Sequence, residues 1–219
     1  MKDFDFYQIV GVIAPGMVVV VGGLFLFYPA EQKNLISIAS VSIGSLGVGV
    51  ILAYVVGQLL QAVGNGIESI WWWLWRGMPT DWIRTGRHNL IAPAQRSHLQ
   101  ERLKCMLNDK DFTIENANRT HWFAITRQVY AAVSAANRAS RVDIFNGNYG
   151  LCRGITAGFT VLLVAFAIIN LQSWKTELIL GILIALSVFR MHRFGVHYGR
   201  EVFVQYLQAQ DASEPRKQQ

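Results

Sequence analysis

Apolar and polar positions fall in long blocks along this chain. Residues 6–28 form an apolar run without Asp, Glu, Lys or Arg, long enough to cross the hydrocarbon core of a bilayer as a helix. Pro15-Gly16 lies inside it and predicts a kink, because proline removes a backbone donor and crowds the preceding turn; Pro29 ends the run. Residues 35–63 predict a second span, longer than a bilayer needs, which tilts or projects beyond the lipid. Residues 154–171 predict a third. Residues 178–189, twelve uncharged positions before Arg190, predict a fourth. It crosses if Trp174 and Lys175 anchor one end while Arg190 and Arg193 snorkel at the other; a re-entrant or interfacial helix is the alternative. A cleaved signal peptide competes for the first run. The length of that run, and Lys2 set against Asp3 and Asp5, speak against it.

Between the second and third runs the chain is polar. Gly77-Met78-Pro79-Thr80-Asp81 marks a break, with Thr80 or Asp81 available to cap the next turn. Residues 93–107 predict a helix with Leu99, Leu103, Met106 and Leu107 on one face, interrupted at 108–110. Residues 116–142 predict a longer amphipathic helix carrying Trp122, Ile125, Val129, Val133 and Ala136 at helical spacing. It can run on through Phe145 and Tyr149 into the third span. Alternation of strand type is confined to a few residues around 112–114, and there is no internal repeat. The last segment continues the fourth span as a helix, with a short polar tail after Ala209. Together these elements predict an all-α fold, a four-helix transmembrane bundle with a small helical cytoplasmic domain. The expected divisions are 1–63 (first helix pair), 64–153 (cytoplasmic domain), 154–189 (second pair) and 190–219 (C-terminal helix and tail).

Composition and charge sharpen this picture. The chain is 52% hydrophobic and only 16% charged, against roughly 25% charged in soluble domains. No Asp, Glu, Lys or Arg occurs between Lys33 and Glu68, between Arg153 and Lys175, or between Glu177 and Arg190. Trp71, Trp72, Trp73 and Trp75 suit a bilayer–water boundary. Of the 20 basic residues, the two linkers hold only Lys33 and Lys175. The positive-inside rule then puts the N-terminal tip, the central segment and the C-terminal tail in the cytoplasm of a multi-pass inner-membrane protein. The net charge of +6 follows from the same bias and is not by itself evidence for nucleic acid. Cys105 and Cys152 read as two unpaired, reduced thiols.

Candidate chemistry lies where polar groups meet apolar helix. In the second span Ser45, Gly49, Ala53 and Gly57 recur every four residues, a small-residue ridge that lets another helix approach closely. Beside it Tyr54, Gln58, Gln61, Asn65 and Glu68 form a polar stripe. Such groups cannot face lipid cheaply. Either they hold the bundle together by interhelical hydrogen bonds, or they line a conduit that Val55, Val56 or Leu59 closes by dewetting. Arg190, Arg193, His197 and Arg200 form a basic stripe on one helical face. It either anchors at anionic headgroups or binds an anionic ligand, with Arg84, Arg87 and His88 as neighbours. No CxxC, HExxH, phosphate-binding Gly-rich loop or GxSxG is present. Gly44-Ser45-Leu46-Gly47 lies deep in a span, without a histidine to activate the serine. Arg190 and His197 have the arginine–six-residue–histidine spacing of HEPN-type nucleases. No histidines share metal-ligand spacing with a carboxylate, so neither a metal nor another cofactor is expected.

The order of several short stretches carries a resemblance: Ile13-Ala14-Pro15-Gly16, Gly57-Gln58-Leu59-Leu60-Gln61-Ala62, Gly77-Met78-Pro79-Thr80, and Arg193-Phe194 through Tyr198 and Glu201. The chain resembles small bacterial four-span membrane proteins of unassigned function. It is also similar to membrane effectors of anti-phage abortive-infection systems, such as the partner of a nucleotidyltransferase in the Hailong system. What the resemblance implies is a homo-oligomeric channel-like toxin, a tetramer being one arrangement, controlled by a nucleotide or oligonucleotide and by a partner encoded nearby. The alternatives are a non-conducting adaptor that recruits a soluble partner through its basic helices, and a membrane-tethered nuclease using Arg190 and His197.

Overall fold

The computed structural model describes residues 9–27, 43–169 and 174–213, and among these the fold is all-helical, without strands. A π-helical turn, Ile9–Ile13, leads into α1 (Ala14–Phe27). There follow α2 (Ile43–Leu74), α3 (Pro79–Thr85), α4 (Pro93–Leu107), α5 (Arg119–Ala135), α6 (Ser140–Ile169) and α7 (Trp174–Ser213). Among the described residues, three helical stretches are long and apolar enough to cross a membrane, namely Gly47–Thr85, Ser140–Ile169 and Trp174–Ala209; Gly11–Leu26 is a shorter apolar helix. Among the described residues, three of the four expected spans are thus helices of crossing length, and the first is represented by a shorter apolar helix. Residues 6–8 and 28 of the first run, 35–42 of the second, 170–171 of the third, the first linker, residues 172–173 of the second linker and the end of the tail lie outside the described residues.

Two compact units divide the chain, Met1–Trp71 with Gly147–His192, and Trp72–Asn146 with Arg193–Gln219. In the first, glycines set the helix spacing. A Cβ placed on Gly16 would collide with the Ala53 carbonyl, and one on Gly57 with the Val12 carbonyl, so α1 and α2 touch backbone to backbone. Gly154 and Gly158 of α6 admit Pro15 and Val19 in the same way. Thr156 of α6 hydrogen-bonds Ser187 of α7 at 3.0 Å. Ala53, Leu60, Ala157, Leu162 and Phe166 are buried at this core.

The core of the second unit is aromatic and aliphatic. Trp122 stacks on Phe203 with ring centroids 5.6 Å apart and donates from Nε1 to the Thr80 carbonyl at 2.9 Å. Leu99 and Leu103 of α4, and Ile125, Val129 and Val133 of α5, are fully buried, the faces their spacing predicts. Three local expectations are corrected. Helix 116–142 is broken in two, because Asn137 turns left-handed at φ 55° and the Arg138 N–H closes on the Val133 carbonyl; α6 then restarts at Ser140 and runs through Phe145 and Tyr149. Residues 112–114 form no strand, since Gln100 bonds to both the Phe112 carbonyl and the Ile114 N–H and folds them inward as a loop. Asp81 acts from within the first turn of α3, accepting from the Met78 N–H at 3.3 Å, so Met78 is the N-cap residue.

Candidate functional site

In the first unit the sequence forces one backbone group out of register. Pro15 has no N–H, so the Gly11 carbonyl four residues earlier lacks its α-helical donor. Gln61 of α2 supplies one, its Nε2 donating at 2.6 Å. The Gln61 Oε1 in turn accepts from an Arg153 guanidinium nitrogen at 2.7 Å. The other terminal nitrogen of Arg153 meets Glu68 Oε2 at 2.5 Å, and these two side chains are only 15% and 16% exposed. Gly64, between Gln61 and Glu68 on α2, leaves room for the Arg153 stem, which passes 3.1 Å from where a Cβ would stand. Charge-assisted bonds from Arg153 therefore tie α6 to α2, and a neutral amide–carbonyl bond ties α2 to the turn before α1.

The polar stripe of α2 divides at this network. Gln61 and Glu68, expected on a conduit lining, are instead bonded within the chain. Tyr54, Gln58 and Asn65 lie about a seventh of a turn further round and are exposed. With Gly47, Ala62 and Ser69 they make a polar, small-residue flank, open along its length. Val48, Leu52, Val55, Leu59, Val63 and Ile70 form an apolar flank beside it, Leu59 being 68% exposed. Only 22% of the most apolar window of this stretch is buried inside the fold. Of the small-residue ridge, Ala53 and Gly57 pack on α1, whereas Gly49 meets nothing within 4 Å; the Ser45 side chain lies outside the described residues.

The basic candidates are dispersed. Arg190 belongs to the first unit, where its guanidinium meets the Cys152 thiol. The rest belong to the second. Arg84 donates to the Ala117 carbonyl at 3.1 Å. Arg200 donates from Nε to the Leu90 carbonyl at 3.0 Å, which brings it to the α3–α4 turn beside the exposed Arg87. His197 stacks on Phe145 with centroids 5.2 Å apart, while Arg193 is exposed. His88 packs edge to face and tilted against Trp75 and Trp82. Among the described residues no group of three or more His, Cys, Asp or Glu could hold a metal ion.

One titrating pair in the second unit has a defined environment. The Tyr130 hydroxyl donates to Asp143 Oδ1 at 2.7 Å, and this bond, with burial, pushes the phenol from its ordinary 10 up to about 12. The unfolded chain releases this proton near pH 10 and the folded chain only near 12. The bond therefore stabilises fully below pH 10, and its contribution is lost as pH rises through that window. Denaturation followed at pH 9 and pH 11 checks this. Tyr130→Phe is expected to lose less stability over that interval than the native protein, and an equal loss in both would refute it.

Arg153 and Arg96 are the residues that sequence reasoning missed. A signal existed for Arg153: Glu68 is the only acid between Glu31 and Asp81, and two lone opposite charges on apolar helices have reason to pair. For Arg96 the sequence shows only a basic residue on an amphipathic helix. Comparison with protein-family models, curated proteins and solved structures finds no match to this chain.

Proposed function

We propose that the chain is a four-span inner-membrane protein with both termini and the second unit in the cytoplasm. In this reading it self-associates through α2 and acts as a channel-like effector in anti-phage defence, opened or closed by a nucleotide or oligonucleotide. The observation that carries the reading is the exposed flank of α2 bearing Tyr54, Gln58 and Asn65. Amides on a membrane helix need protein or water opposite them, and no other segment among the described residues covers this flank. A second copy of the chain, with water along the shared axis, satisfies them. Val55 and Leu59 border the same flank and supply the apolar constriction that closes such a path by dewetting. The resemblance to abortive-infection effectors supports the same assignment. Control by a ligand requires that it bind the open and closed states with different affinity; the arginines of the second unit favour an anion.

Membrane potential tests this directly. Bacteria expressing the protein, alone or with its neighbouring genes, are followed with a voltage-sensitive dye. The native protein is expected to depolarise them. Gln58→Leu is expected to suppress depolarisation at an unchanged level of membrane insertion. Gln58 is chosen over Gln61 because Gln61 also holds the Gly11 carbonyl, so its loss confounds conduction with folding. Depolarisation that persists undiminished in Gln58→Leu removes α2 from the path. Native protein that passes no ions under any of these conditions leaves the adaptor reading.

A further inference from the structure

The turn between α3 and α4 encloses a cleft of about 110 Å³, lined by Gly86, Arg87, Asn89, Arg96 and the apolar wall of Trp82 and Ile91 among others. We propose that this cleft is a binding site for a phosphate group. The inference rests on the anion-sensing half of the proposed function and gives it a place that the basic stripe of α7 does not.

The cleft is built around the Arg96 guanidinium. One terminal nitrogen of Arg96 meets Glu115 at 2.9 Å and the Arg84 carbonyl at 3.1 Å, which fixes the plane of the group. The other lies 3.3 Å from where a Cβ of Gly86 would stand, so the turn passes closely over it. Gly86 has φ 67° as well, a conformation that suits glycine. The Nε of Arg96 is buried without a hydrogen-bond partner among the described residues. Arg87 is exposed at the mouth, and Arg200 is bonded to the Leu90 carbonyl of the same turn. Two guanidinium groups, those of Arg87 and Arg96, thus line the cleft, offset by the largely exposed carboxylate of Glu115.

Guanidinium N–H groups match phosphate oxygens in hydrogen bonding and charge, and the Arg96 nitrogen facing Gly86 and the exposed Arg87 supply them here. Size narrows the occupant further. A cleft of about 110 Å³ is well below the roughly 300–1,000 Å³ of sites that enclose a whole small molecule. What enters is therefore the phosphate head of a ligand whose remainder stays outside. An anionic phospholipid headgroup and a soluble phosphomonoester share this chemistry.

The test uses the full-length protein in a non-ionic detergent, titrated with inorganic phosphate at constant ionic strength in a calorimeter. Saturable binding is expected. Arg87→Ala should weaken it by about tenfold or more, as loss of a hydrogen bond to a charged group implies, and Asn89→Ala should weaken it to a smaller degree. Both residues are exposed, so these variants should keep the native helical circular dichroism; Asn89 is left-handed at φ 40°, where alanine strains the turn, so Arg87→Ala carries more weight. Arg96→Ala should abolish binding, but it also removes the Glu115 and Arg84 contacts, so the other two variants decide. Arg127→Ala, on α5, should bind as the native protein does. A second arm adds nanodiscs with or without anionic phospholipid, or a soluble phosphomonoester, as competitors. Displacement by the lipid identifies a headgroup site and displacement by the phosphomonoester a soluble ligand; either supports the cleft. Absence of saturable binding, or native affinity in both Arg87→Ala and Asn89→Ala, overturns it. Conduction is not read here, so a failure of the channel reading is seen separately.

Discussion

Glu68→Ala is expected to cost about 3–5 kcal/mol of stability, because it leaves the Arg153 guanidinium buried without its counter-charge. The same loss is expected for Arg153→Ala, which strands Glu68 and removes one partner of Gln61. The two changes are not additive: the double variant strands no charge and should lose no more than either single one. Replacing both residues by methionine should recover most of the loss, as apolar substitution of a buried ion pair commonly does. Glu68→Gln keeps an acceptor and should fall between. Unfolding of the detergent-solubilised protein, followed by circular dichroism, measures all five. A cost below about 0.5 kcal/mol for Glu68→Ala, the range of ordinary surface changes, would mean that the pair is solvated and holds nothing.

A comparable loss is expected from the smallest possible change at Gly57. One methyl group there meets the Val12 carbonyl, with the Val12 side chain 2.9 Å away. A backbone carbonyl cannot rotate aside as a side chain can. Gly57→Ala must therefore push α1 away from α2 along their whole contact, at about 3 kcal/mol or more. Gly16→Ala meets the Ala53 carbonyl and should behave alike. Gly49 and Gly66 sit on the same helix with nothing within 4 Å, so alanine there should be neutral or gain up to about 1 kcal/mol from helix propensity. Thermal unfolding of the four variants side by side separates contact from propensity. Equal stability of Gly57→Ala and Gly49→Ala would show that the close crossing does not exist.

Much of the fold was legible because its signals are periodic. The buried faces of α4 and α5 followed from the spacing of Leu99 and Leu103 and of Trp122, Ile125, Val129 and Val133. The apolar runs announced α2, α6 and α7. What escaped was set by single residues or by distant ones. Nothing in the apolar spacing of 116–142 announces that Asn137 will turn left-handed, since Asn also occurs within helices. Nor does period alone separate Gln61 from Gln58. Both belong to one stripe, and only the helices packed on α2 decide that Gln61 faces Gly11 and Arg153 while Gln58 stays outside. The basic residues were visible as a class, but their grouping was not. Arg200 reaches the α3–α4 turn through the Leu90 carbonyl, a backbone acceptor that no sequence pattern marks. Arg96 became a candidate only once Gly86 was seen to lie over it.

The bond from Gln61 to the Gly11 carbonyl has a consequence for how this protein can change over generations. Proline at position 15 creates the vacancy that Gln61 fills. A residue with an N–H at position 15 would give that carbonyl a donor from its own helix, and Gln61 would then share its acceptor, whose second lone pair remains available. Loss of Gln61 alone leaves the Gly11 carbonyl short of a donor and Arg153 short of an acceptor, and loss of Pro15 relieves the first of these. The dependence runs one way: among descendants of this gene, Gln61 should be lost more readily where Pro15 has already gone.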